Sequence, residues 1–211
     1  METVLIKNAT IVNEGRQTQG DVLITDGRIA KIGGIIDTPA RAREINAEGL
    51  HLLPGVIDDQ VHFRDPGLKH KATIETESMA AVAGGVTSFM EMPNTRPAAL
   101  TQTLLEEKYK MANYTSAANY SFYMGVSNDN ADEVLKTNDK KKDVCGVKIF
   151  MGSSTGSMLV DNHMTLNRIF SESELLIATH CEDERIIEAN KLKFSGADNV
   201  SYHPMIRNVA A

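Results

Sequence analysis

At 211 residues, with 42% apolar and 24% charged residues, the chain can form one large domain with a small appendage and bury a substantial core. Its net charge of −6 argues against a nucleic-acid groove, which needs a basic face, but leaves room for a small anionic substrate held by a few local cations. No apolar run approaches the ~18 residues of a membrane helix, no signal peptide is visible, and Cys145 and Cys181 make no disulfide framework, so a reducing, cytoplasmic location is expected.

Residues 1–54 alternate in the manner of short strands. Val4-Leu5-Ile6 and Thr10-Ile11-Val12 are separated by Lys7-Asn8-Ala9. Asp21-Val22-Leu23-Ile24 runs into Asp26-Gly27, a hairpin turn signal, and then Arg28 to Ile32. This predicts a small β-layer built from hairpins. From residue 55 to 211, apolar strands alternate with helical stretches, the signature of βα units on a parallel sheet. Strands are expected at Gly55–Asp58, Val86–Met92, Tyr120–Val126, Gly146–Met151 and Leu175–His180. Helices are expected at Ile74–Ala83, Thr101–Ala112, Asn130–Lys136, Leu166–Ser171 and Glu182–Lys191. Gly84-Gly85 is a plausible stop for the first helix.

Five such units, with polar residues at the C-terminal strand ends, describe a (β/α)₈ barrel partway round, and chemistry in that fold sits at those ends. Three more strands would be needed to close it. An open doubly wound sheet is the alternative, but it leaves the N-terminal strands unexplained.

Asp58-x-Gln60-x-His62 closes the first strand, and residues two apart on a strand face one side. Such a pair can grip a metal ion, although a neutral amide is a poor ligand. A polar strand end entering a loop explains the same residues. Arg64 would point to the same cavity if the strand continued, and a guanidinium suits a bidentate grip on a carboxylate. Pro66-Gly67 then forces a turn.

Lys148 interrupts the apolar run Val144 to Met151. A buried ammonium is costly, so it must pair, lose its proton or be modified. A neutral amine can take up carbon dioxide to give a carbamate able to bridge two metals; a lysine paired within a barrel mouth is the simpler account. His180 ends an apolar strand, and the acidic run after it suits a helix N-terminus. Cys181, next along, should face away from His180. Asn94 offers a donor and an acceptor to a carboxylate or ureide, or simply forms a turn. Gly152 to Gly156 lacks the Gly-Lys-Ser/Thr ending of a phosphate loop and suits a flexible loop over a site mouth. His51, His70, His163 and His203 have no ligand-like spacing.

Four segments in order, His62-Phe63-Arg64-Asp65-Pro66-Gly67, Glu91-Met92-Pro93-Asn94-Thr95, Gly146-Val147-Lys148-Ile149-Phe150 and Thr179-His180-Cys181-Glu182-Asp183, resemble the dihydroorotase branch of the amidohydrolase superfamily. The resemblance runs over nearly the whole chain. It implies a metal-dependent hydrolase barrel with a small β-sandwich, incomplete within these residues. It implies the reversible cyclisation of N-carbamoyl-L-aspartate to dihydroorotate in pyrimidine biosynthesis, by attack of metal-activated water on a cyclic amide. By the same resemblance His62, Lys148 (carbamylated) and His180 bind one or two zinc ions, and Arg64 and Asn94 hold the substrate carboxylate. The chain departs from the pattern at Gln60, where the family usually has histidine. The catalytic aspartate and a further histidine would lie beyond residue 211, so the isolated chain is expected to be inactive and to require a further C-terminal segment. A homo-oligomer is expected. Allantoinase or hydantoinase chemistry, or a non-catalytic scaffold, are the competing readings.

Overall fold

The computed structural model describes residues 2–152, 156–196 and 198–210. The loop expected over the site mouth falls largely at residues 153–155, outside the described residues. The chain divides into two compact units, residues 1–55 and 56–211.

The first unit is a five-stranded sheet. Strand β1 (Thr3–Asn13) pairs antiparallel with β2 (Arg16–Thr25), which pairs with β3 (Arg28–Ile32). Strands β4 (Arg43–Asn46) and β5 (His51–Leu52) run parallel to β1 on its other side. The two short strands expected at residues 4–12 are one strand: Asn8 takes a left-handed turn at φ 61°, and the register slips between Ile6 and Ala9 without ending the pairing. The buried Asp21 carboxylate receives the Asn8 and Ile36 amides, each at 2.9 Å. Those bonds hold its pKa below the usual carboxylate range. The Asp26-Gly27 turn forms as its residue types require, both residues having positive φ. Ala9, Ile11, Val22 and Ala47 make the core of this unit.

The second unit is a half-barrel. Strands β6 (Val56–Val61), β7 (Val86–Glu91), β8 (Asn119–Gly125), β9 (Gly146–Phe150) and β10 (Ile177–His180) lie side by side in chain order, each pair parallel. Helices α1 (Ile74–Ala83), α2 (Gln102–Thr115), α3 (Ala131–Leu135), α4 (His163–Glu172) and α5 (Glu184–Lys193) alternate with them, and α6 (His203–Ile206) follows. Phe89, Phe122, Met124, Val147 and Ile149 from the strands pack against Ile74, Leu105, Ala112, Val134, Leu166 and Ile169 from the helices.

Local chemistry sets the helix starts. Thr73 and Thr76 exchange side chain-to-backbone hydrogen bonds in a capping box, placing the start of α1 at Ile74. Asn162 accepts from Met164 and Thr165, so α4 begins three residues before its first expected apolar position. Asp183 caps α5 and sets its start at Glu184 rather than Glu182. The third helix is shorter than expected and tightens into a 3₁₀ turn at Lys136–Lys140. Among the described residues, no helix is long and apolar enough to cross a membrane.

Candidate metal and substrate site

Because β6 to β10 are parallel, their C-terminal ends share one edge, and His62, Asn94, Lys148 and His180 all lie at or near it. Lys148 stands opposite Gly125 on one side and Ala178 on the other, with His180 two residues beyond Ala178 along its strand.

His62 Nδ1 donates to Asn94 Oδ1 at 2.9 Å. The bond joins the loops after β6 and β7, fixes the ring tautomer and leaves the Nε2 lone pair for a ligand. Burial lowers the His62 pKa, partly offset by the Asn94 bond, and the charges of Arg64, Lys148 and Lys108 lower it further. A neutral imidazole is the form a metal needs.

Lys148 is buried with its ammonium over the Phe150 ring, 4.9 Å from the centroid. Among the described residues it has no carboxylate in salt-bridge contact. Desolvation lowers its pKa, and the Cys181 charge opposes this. His180 is half-exposed, and its Nε2 meets Glu182 Oε2 at 2.5 Å; Glu182 also pairs with Arg207. Cys181 Sγ donates to Thr179 Oγ1 at 3.1 Å, on the strand face opposite to that of its neighbour His180.

Two details differ from strand-based expectation. Strand β6 ends at Val61 and its pairing with β7 slips between Asp58 and Val61, so the two-residue alternation does not carry through to Arg64. Arg64 instead occupies a left-handed conformation, φ 67°, in the following loop and is half-buried. Gln60 is exposed, and its backbone N–H donates to Asp58 Oδ1 at 3.1 Å.

The donor types present suit zinc: two imidazoles, one of them neutral through burial, and a desolvated lysine that as a carbamate would supply oxygens. The described residues hold no group of three or more His, Cys, Asp or Glu that closes a site by itself. The donor set is therefore partial as well as suitable.

The structure adds residues to which sequence reasoning assigned no role. Glu91, the last residue of β7, forms a fully buried ion pair with Lys108 of α2, Oε2 to Nζ 2.8 Å. The signal was present: Leu105, Lys108 and Ala112 share a helical stripe at the spacing of a buried face, and a lysine there needs an anion. Gly67 does more than turn the chain. Its φ is +86°, and a Cβ there would meet the Arg96 carbonyl oxygen at 1.9 Å. The Arg96 amide donates to the Pro66 carbonyl at 3.0 Å, so the loops after β6 and β7 lie in direct contact.

A family model described as dihydro-orotase-like matches residues 49–193. The chain is 33% identical to the allantoinase of Deinococcus radiodurans over 184 residues, 85% of this chain and 40% of that protein. It is 33% identical to the dihydroorotase of Methanosarcina acetivorans over 211 residues, covering 98% of this chain and 44% of that protein. Among solved structures, the L-hydantoinase of Arthrobacter aurescens superposes with a TM-score of 0.89 at 31% identity, over 99% of this chain and 48% of that one. The chain thus spans less than half the length of these relatives. With a family model matched across most of the second unit and relatives above 30% identity covering nearly the whole chain, the chain belongs to the dihydro-orotase-like family of the amidohydrolase superfamily.

Proposed function

We propose that this chain supplies the first part of a zinc-dependent cyclic amidohydrolase site, with dihydroorotase chemistry as its reaction: reversible cyclisation of N-carbamoyl-L-aspartate to dihydroorotate. The observation that carries this reading is Lys148, closed off from water at the mouth of a half-barrel with no carboxylate in salt-bridge contact among the described residues. A lysine in that position is poised to give up its ammonium proton, form an N–C bond to carbon dioxide and release a second proton from nitrogen to solvent, leaving a carbamate anion.

His62, Lys148 and His180 would hold the metal. When bound, zinc supplies Lewis acidity toward a carbonyl and toward water. The residues of this chain do the rest. Asn94 orients His62 through its carbonyl oxygen, and its amide N–H₂ group is the part suited to a substrate oxygen. Arg64 supplies a cation for the substrate carboxylate. Glu182, held by Arg207, orients His180. The proton-shuttling aspartate that family membership leads us to expect lies outside these residues.

Zinc content and intact mass test the reading. The parent chain should bind zinc and, with bicarbonate present, gain the mass of one carbon dioxide at Lys148. Lys148→Met should lose zinc affinity ~10-fold or more, the scale seen when metal-site residues are removed. Equal zinc in both would sink the assignment. Ring opening of dihydroorotate, hydantoin and allantoin by a complete barrel would then separate the substrate classes. One observation favours a second reading: the exposed Gln60, where a histidine ligand is usual, suits a scaffold homologue, and failure of the parent chain to bind zinc at neutral pH would support it.

A further inference from the structure

We infer that the buried Glu91–Lys108 pair is a positioning device that sets the separation of the loops carrying His62 and Asn94; the value of that separation rests on the site reading above, but the coupling itself does not. Both side chains are almost wholly inaccessible, at 0% and 2% exposure. Lys108 rises from α2, pairs with Glu91 at 2.8 Å, donates to the Met92 carbonyl at 3.2 Å and stands over the Phe122 ring. Met92 lies two residues before Asn94, and its own amide donates to the Val61 carbonyl at 3.0 Å, one residue before His62. Burial raises the Glu91 pKa, and Lys108 and, more weakly, the Phe63 amide one residue after His62 oppose that rise. Asp65 is close enough for its charge to act on both partners. The pair therefore sits where the two loops diverge, bonded directly to the Met92 carbonyl on one side and linked through the Met92 amide to Val61, beside His62, on the other.

Stability alone is a poor reason for this arrangement. Two charges removed from water recover their hydration only with well-aligned partners, and neither Glu91 oxygen has a hydrogen bond of good geometry despite the close ammonium. Two apolar side chains of similar volume would fill the same space without that loss. What they would not do is hold the Met92 carbonyl at a fixed place. Loss of that constraint frees the two loops to drift, and with them the 2.9 Å contact between His62 and Asn94.

The test uses imidazole ¹⁵N–¹H correlation spectra of the 211-residue chain, with the His62 signals assigned by their loss in His62→Gln. The parent should show His62 as a single tautomer with Nδ1 protonated. In the double variant Glu91→Leu/Lys108→Met the melting temperature should stay within about 5 °C of the parent, while His62 shifts to the averaged pattern of two exchanging tautomers. A folded double variant with an unchanged His62 pattern would overturn the inference. Should the double variant not fold, Glu91→Gln provides the same reading, since it keeps shape but removes the charge that holds Lys108; an unchanged His62 there overturns it equally. A His62 pattern that moves in a protein binding no zinc supports the coupling and removes only the proposed function.

Discussion

A lysine closed off from water on the fourth strand of a half-barrel and a histidine whose ring is tied to an asparagine on the next loop are both defined by what burial does to charge. Burial lowers the His62 pKa from 6.5, so the unfolded chain takes up a proton before the folded one does as pH falls. His62 thus contributes stability that is complete above about pH 6.5 and is lost as pH falls toward its depressed folded value. In denaturant titrations across that range, His62→Asn should flatten the acid limb; an unaltered pH slope would show that His62 is not the group responsible. For Lys148 the same burial works against folding while the ammonium persists, so Lys148→Met should melt at or above the parent temperature at neutral pH in the absence of zinc and bicarbonate. At Arg64, Arg64→Lys in a complete barrel should raise KM for dihydroorotate ~10-fold, because an ammonium cannot grip both carboxylate oxygens from one planar fork. Unchanged KM would remove Arg64 from the substrate clamp. His62, Asn94 and His180 stood out in the sequence as polar residues at or just past the end of an apolar strand, and Lys148 as the one charge inside an apolar run. The burial of Lys108 was legible in the stripe of Leu105, Lys108 and Ala112, but its partner was not, because Glu91 lies 17 residues away and only tertiary packing joins them.

Helices and loops show a different division. Helix α1 has the bounds its sequence predicts, since Thr73 caps its start with its side chain and Gly85, just past its end, takes a left-handed φ of 92°. Thr73→Ala should lower unfolding free energy by about 1 kcal/mol through loss of the cap; a change near zero in urea titrations would mean that Thr76 alone satisfies the end. Helix α4 was underestimated because its first turn is held by Asn162 and not by an apolar stripe. Strand β1 was read as two because Asn8 breaks the alternation, although the pairing with β2 survives it. The Arg64–Gly67 loop is the least legible element. Its shape depends on the Arg96 backbone lying against Gly67, a contact between segments 29 residues apart. Gly67→Ala should therefore cost about 2 kcal/mol or more, from both the left-handed φ and the overlap with Arg96. A melting temperature equal to that of the parent would contradict that packing.

Over the whole molecule, both outer strands of the second unit's parallel sheet lack a paired neighbour beyond them among the described residues. Val56 and Ile57 on β6 are 55% and 62% exposed, and Leu176 beside β10 is 64% exposed. Unpaired backbone flanked by apolar side chains is a template for association. The 211-residue chain by itself should sediment as concentration-dependent oligomers, and Ile57→Lys should reduce that association. A parent chain monomeric at all concentrations would show that these edges are protected in some other way.

The sequence by itself determined the order of strands and helices, the family and the polar residues at the strand ends. Those properties are carried by local periodicity, capping residues and short motifs, which need no knowledge of distant neighbours. Only the tertiary structure decided which of those residues meet. It joined His62 to Asn94, left Lys148 without an anionic partner among the described residues, buried Glu91 against Lys108 and set Gly67 on Arg96. Each of these depends on side chains or backbone brought together from different βα units, and the cost of burying a charge or of crowding a backbone exists only once that packing is in place.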